Sequence, residues 1–373
     1  MSKLLSPFQL GDITLPNRIV MAPMTRCRAG AGDVPTALNA AYYAQRAGAG
    51  LIVTEATNVT AASCAFEHAP GIYSAEQVAG WRPVVEAVHA AGGRIICQLW
   101  HCGRVGAAGI LNGQQPLAPS AVNDDLGLLQ VYGQLGNGHY VRIAATPSRA
   151  MTLAEVEEAV RQFRHAAANA WAAGFDGVEV HAANGYLPHQ FLSPGTNRRD
   201  DRYGGPVENR ARFLREIVEA VGEVVPMGRV GVRLSPTAAY NNPMDPDPHE
   251  TYGHVASMLD GLGVGFVEIA DTNAWAGAPD RTELLKMIKP HYHGPVILNG
   301  GLSPDLAEQL VALDTISLAS FARLFIANPD LPARIAEGGP FNDPRPVGWY
   351  GGGAEGYTDY AALSESDLVA GAA

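Results

Sequence analysis

Apolar positions along the chain alternate between two rhythms. Short blocks such as LIVT (51–54), RIIC (94–97) and PVIL (295–298) are apolar nearly throughout, as expected of strands covered on both faces. Between them run longer segments with helical spacing. The clearest, Leu153–Ala173, is opened by Thr152 with Glu155 three residues on, a capping box. The pattern predicts strands at Arg18–Ala22, Leu51–Thr54, Arg94–Leu99, Phe175–Val180, Val230–Leu234, Phe266–Ala270, Val296–Leu298 and Thr315–Leu318. It predicts helices at Ala37–Ala47, at Ser74–Ala91 with Ser74 as cap, and at Leu153–Ala173 and Val207–Val224. Further helices are expected at His249–Leu262, Arg281–His291, Pro304–Leu313 and Phe321–Glu337.

Eight strands, each followed by a helix, predict an α/β chain closed as a (β/α)8 barrel, with a doubly wound sheet as the runner-up. Phe8–Leu15 reads as a hairpin turning at Gly11-Asp12, within a cap of residues 1–17. Residues 102–150, rich in Gly, Pro, Asn and Ser, are too long for a structureless loop and should hold a β excursion after the third strand. Residues 338–373 should pack back on the barrel, making 1–373 one domain.

Composition narrows the partners. The 373 residues carry a formal charge of −11 and no block of Lys or Arg, which argues against nucleic acid or an anionic membrane. Four cysteines (Cys27, Cys64, Cys97, Cys102) make no disulfide framework and suggest a reducing compartment. No cleavage pattern opens the chain and no apolar run approaches ~20 residues, so a cytoplasmic protein is expected.

In such a barrel chemistry gathers at the C-terminal ends of the strands. The richest end is FDGVEVHAANGYLPHQ (175–190). His181 and Asn184 can donate two hydrogen bonds to one oxygen, and Tyr186 adds a phenol able to protonate a strong base such as an enolate. Together they suit activation of a conjugated carbonyl. Each alone is more simply explained by a backbone contact, a turn cap or packing; three at one strand end favour a site. Gln98 offers a donor and an acceptor to a pyrimidine-like ring, and Thr25 a single hydrogen bond to its carbonyl. Arg233, at the end of an apolar strand, needs an anionic partner such as a reduced flavin. At ~4 Å and an effective dielectric near 20 that attraction is about 4 kcal/mol, far more than Thr25 can supply. Gly300 and Gly301 after the seventh strand, with Ala322 and Arg323 after the eighth, suit a phosphate.

The sequence resembles the Old Yellow Enzyme family of FMN-containing ene-reductases, which are (β/α)8 barrels. The resemblance rests on NRIVMAPMTRCRA (17–29), EAT (55–57), QLWHCGR (98–104), GFDGVEVHAANGYLPHQFLSP (174–194), RRDDRYGGPVENRARF (198–213), RLSP (233–236), FARLFIANPDLPARI (321–335) and GGGAEGYTDY (351–360). It implies non-covalent FMN, with Thr25 at the flavin C4 carbonyl as in the threonine-type branch. Gln98 and Arg233 would hold the pyrimidine portion, with Pro23, Met24 and Ala56 lining the ring. It also implies ping-pong catalysis. NADPH or NADH reduces the flavin, and an enone, enal, maleimide or nitroalkene then takes hydride from N5, its oxygen held by His181 and Asn184, and a proton from Tyr186. Trp100, Trp275 and Tyr350 would wall the pocket, and Arg142 would face donor or substrate. Similar proteins suggest a monomer or homodimer.

One departure stands out: the family's Gly-Arg is Ala322-Arg323 here, which keeps the N–H but loses glycine's freedom. GGGAEG (351–356) matches a dinucleotide fingerprint only literally, since it follows no strand and opens no helix. Cys97, His101 and Cys102 lack a second ligand cluster, so no metal is expected. The same flavoprotein could act mainly on nitro compounds or quinones. From other classes, a flavin-free phosphate-binding lyase lacks a strand-end lysine, and a non-catalytic flavin protein would not need the substrate-side groups.

Overall fold

The computed structural model describes residues 2–271 and 280–363. Eight parallel strands form its centre: β1 (Ile19–Met21), β2 (Leu51–Val53), β3 (Ile95–Trp100), β4 (Gly177–Ala182), β5 (Val230–Leu234), β6 (Phe266–Ala270), β7 (Val296–Asn299) and β8 (Leu318–Phe321). Each pairs with the next, and β8 returns to β1 through Ala319↔Ile19, Ser320↔Val20 and Phe321↔Met21, so the sheet closes into a (β/α)8 barrel. Helices follow the strands in order, opened where the sequence offers caps: Ser74 accepts from the Gln77 N–H and Thr152 from the Glu155 N–H. No helix among the described residues is long and apolar enough to cross a membrane.

The interior is layered. The hairpin Phe8–Leu10/Ile13–Leu15 brings Leu10, Ile13 and Leu15 against Val20, Leu51, Val53, Ile96, Phe266, Ile297 and Leu318. Burying a side chain such as Phe266 or Ile297 contributes roughly 1.5–3 kcal/mol each. Strand side chains repeat every second residue, so the next interior positions are Gln98, Glu268, Asn299 and Ser320. The barrel is therefore apolar below and polar toward the C-terminal strand ends.

Three elements differ from the sequence expectation. The eighth strand is Leu318–Phe321, not Thr315–Leu318. Lys289 Nζ holds the carbonyls of Asp314 and Thr315 in the connection, and the register with β1 and β7 selects the weaker-looking LASF. The last helix is two, Arg323–Ala327 and Leu331–Glu337, because Pro329 disfavours helical geometry at Asn328 before it. The fourth strand begins at Gly177 rather than Phe175, since Asp176 is held by His89 and the Ile95 N–H. A short helix, Leu187–Leu192, then follows Tyr186 directly.

Residues 102–150 do hold a β excursion. Val131–Gln134 pairs antiparallel with Tyr140–Ile143, and Leu117–Ala118 pairs parallel with Arg149–Ala150. The buried Arg104 ties it down through Asp125 at 2.5 Å. The tail is strapped to the loop after β1: Arg26 donates to the carbonyls of Gly348, Trp349 and Gly356, and Arg28 to those of Gly348, Gly353 and Glu355. Tyr357 stacks on Tyr42 at 3.9 Å. GGGAEG thus forms turns whose carbonyls serve these arginines.

Candidate active site

His181 lies inside β4, buried, with its Nδ1 accepting the Ala183 N–H at 3.3 Å. That contact places the neutral ring's proton on Nε2, free to donate. Burial, and secondarily the Arg233 charge, hold its pKa well below the usual histidine range. The ring is therefore an uncharged donor at neutral pH. The pH profile of kcat/KM for an enone should accordingly show no inflection near ~6.5, the ordinary histidine value; an inflection that vanished in His181→Gln would contradict this.

The chain then turns sharply. Asn184 (φ 59°) and Gly185 (φ 73°) are both left-handed, a conformation suited to asparagine and glycine. A Cβ on Gly185 would lie 2.7 Å from that of Asn241. The turn is pinned by the Asn184 N–H donating to Ser235 Oγ (2.7 Å) and by Asn241 Nδ2 donating to the Asn184 carbonyl (2.9 Å). The Asn184 amide has no hydrogen-bond partner among the described residues, and its Oδ1 is buried. His189, pushed down to about 3 by burial, accepts the Gly185 N–H, and Gln190 donates to the Gly185 and Cys102 carbonyls. Tyr186 is thereby presented edge-on to His181 (5.0 Å) and Trp100 (5.2 Å). Burial raises its pKa far above the ordinary phenol, so it stays protonated.

Beneath lies the polar layer. Gln98 Nε2 donates to Glu179 Oε1 at 2.8 Å, and Arg233 Nη2 donates to Asn299 Oδ1 at 3.0 Å. Arg233 differs from the expectation of a charge awaiting an anionic ligand: its Nη1 lies 2.5 Å from Glu268 Oε2. Sequence reasoning passed over Glu179 and Glu268, although a glutamate inside an apolar strand (VEV, VEI) was the available signal.

Thr25, Pro23 and Met24 are half-buried and Ala56 is buried at the neighbouring strand ends. Glu55, part of the EAT motif but given no role from sequence, fixes their loop by accepting the N–H groups of Arg26 (2.9 Å) and Cys27 (3.1 Å), while its own N–H donates to Tyr43 Oη. Gly300 (φ 142°) and Gly301 (φ 58°) take conformations that side chains resist, and Arg281 holds their carbonyls. Ala322 caps the next helix at φ −101°, so glycine is not required there, and Arg323 is exposed without an ion pair to any described residue. An Arg Nε orphaned beside the ring-edge groups and two backbone turns with an unpaired arginine are what an anionic ring and its phosphate would fill.

An aromatic cluster surrounds Tyr186: Trp100 is buried with its indole N–H unpartnered among the described residues, and Tyr350 packs on Phe66 (5.5 Å) and Tyr132 (5.3 Å). Phe66 and Tyr132, unforeseen from sequence, come from the loop after β2 and from the excursion. Arg142 donates to the carbonyls of Gly127 and Leu129. Trp275 lies outside the described residues. The four cysteines are buried and unpaired, with Cys64 and Cys97 pushed up to about 12 by burial, so neither is a thiolate at neutral pH.

Known proteins resemble the chain in sequence and fold. Residues 3–342 match the NADH:flavin oxidoreductase / NADH oxidase family. A "probable flavin mononucleotide-dependent alkene reductase" of Leishmania infantum is 39% identical over 364 residues, covering 96% of each chain. The structure of morphinone reductase in complex with tetrahydroNAD superposes with a TM-score of 0.92 at 41% identity, covering 98% of this chain and 99% of that one. The Old Yellow Enzyme homologue from Zymomonas mobilis gives 0.90 at 39%, covering 97% and 100%. The chain belongs to this family of FMN-dependent oxidoreductases, the Old Yellow Enzyme homologues.

Proposed function

We propose that the protein is an NAD(P)H-dependent ene-reductase acting on alkenes conjugated to a carbonyl or nitro group. The observation that carries this reading is the end of β4, where two uncharged donors and a protonated phenol fall within six residues with none of them spent on another side chain's charge. Gln98, Arg233 and Thr25 would hold the ring of FMN, Pro23, Met24 and Ala56 would line it, and Gly300, Gly301, Ala322 and Arg323 would hold its phosphate. When bound, FMN supplies the hydride chemistry that side chains lack, taking hydride from the nicotinamide and giving it to the alkene's β carbon. His181 Nε2 and the Asn184 amide hold the substrate oxygen, where negative charge develops. Tyr186 Oη holds the proton destined for the α carbon. Phe66, Trp100, Tyr132 and Tyr350 exclude water and favour a flat apolar substrate. The nicotinamide donor would enter the same pocket in a separate half-reaction, a reading supported by the related enzyme's complex with tetrahydroNAD.

Removing either oxygen-binding group, as His181→Ala or Asn184→Ala, should lower kcat/KM for cyclohexenone by ~10²–10³. Rates within threefold of the parent in both variants would show that the oxygen sits elsewhere.

A further inference from the structure

Two carboxyls in the polar layer take no part in the chemistry above. Glu179 on β4 and Glu268 on β6 are wholly inaccessible. Glu179 Oε1 accepts from Gln98 and Glu268 Oε2 meets Arg233 Nη1 at 2.5 Å, whereas Glu179 Oε2 and Glu268 Oε1 have no hydrogen-bond partner among the described residues. Among the described residues the cation facing them is Arg233 on β5, ion-paired to Glu268 and donating to Asn299 on β7. His181, two residues above Glu179 on the same strand, is neutral. Two carboxylates against one guanidinium would leave a buried negative charge uncompensated, among the costliest arrangements a protein interior can hold. The two carboxyls lie within hydrogen-bonding reach of each other, and burial together with the Glu268 charge raises the Glu179 carboxyl far above the carboxylate range.

We propose that Glu179 carries a proton and donates it to ionised Glu268, making Gln98, Glu179, Glu268 and Arg233 one neutral hydrogen-bonded chain across four neighbouring strands. Such a proton gives a partner to an orphaned oxygen on each carboxyl. It also makes both glutamates positioning residues. Glu179 fixes the rotation of the Gln98 amide, holding its Nε2 and leaving Oε1 for the ring. Glu268 fixes Arg233 and offsets its charge, so the ring meets a tempered cation rather than a bare one. The inference about the ring rests on the flavin reading; the inference about the proton does not.

Glu179→Gln and Glu268→Gln separate the two possibilities, read in the protein as purified by infrared spectroscopy and by the flavin's two-electron midpoint potential. A glutamine at 179 reproduces the protonated carboxyl, accepting from Gln98 and donating to Glu268. The parent should therefore show the C=O stretch of a protonated carboxylic acid at pH 8, lost in Glu179→Gln, while the potential of that variant stays at the parent value. Glu268→Gln should shift the potential positive, because Arg233 loses its counter-charge. A parent without the band, or a positive shift in Glu179→Gln, would mean two ionised carboxylates and would overturn the proposal. If Glu268→Gln does not fold, the two readouts on Glu179→Gln still decide. A colourless protein that shows the band keeps the shared proton and overturns the flavin reading instead.

Discussion

Tyr186→Phe should slow reduction of a conjugated enone by roughly 10²–10⁴ while leaving the reduction of a nitroalkene largely intact. The phenol is buried, held edge-on by Trp100 and His181, and too weak an acid to ionise near neutral pH. Its proton can move only to a base as strong as the enolate carbon. Phenylalanine keeps the ring contacts and removes the proton alone, so the pocket should keep its shape. A nitroalkene becomes a nitronate, stable enough to collect its proton from water. Steady-state rates on cyclohexenone and nitrostyrene make the comparison. Equal losses on both substrates would assign Tyr186 a structural role.

Arg233→Leu should cost about 3–5 kcal/mol of stability, because it leaves Glu268 buried without its cation. Denaturant melts of the parent and the variant at neutral pH measure the loss. The double variant Arg233→Leu/Glu268→Leu should recover most of the stability, since apolar pairs replace buried ion pairs at little cost. It should still fail to retain flavin. A double variant that purified yellow would show that Arg233 serves packing rather than the cofactor.

The barrel was legible because the forces that make it are local. Capping at Ser74 and Thr152, and apolar strand blocks between amphipathic helices, are written in the order of residues. The β8 register was not, because LASF is chosen by its neighbours β1 and β7 rather than by its own composition. The same division runs through the site. His181, Asn184 and Tyr186 sit within six residues and announce themselves. Glu179 and Glu268 come together only when β4, β5 and β6 align, and each alone looks like an exception in an apolar strand. The contacts of Arg142 were hidden for a related reason: an arginine in a long loop can reach many acceptors, and here the carbonyls of Gly127 and Leu129 accept from it. The role of Glu55, and Arg281 altogether, escaped because their work is on backbone groups, which sequence does not display.

The most direct measurement is the visible absorption spectrum of the purified protein, recorded anaerobically before and after NADPH and again after cyclohexenone. A yellow protein that bleaches with NADPH and recovers its colour with the enone completes both half-reactions and is the predicted result. A yellow protein that bleaches but does not recover would leave a flavoprotein whose oxidant is another compound. A colourless protein that takes up no added FMN would contradict the account at its centre.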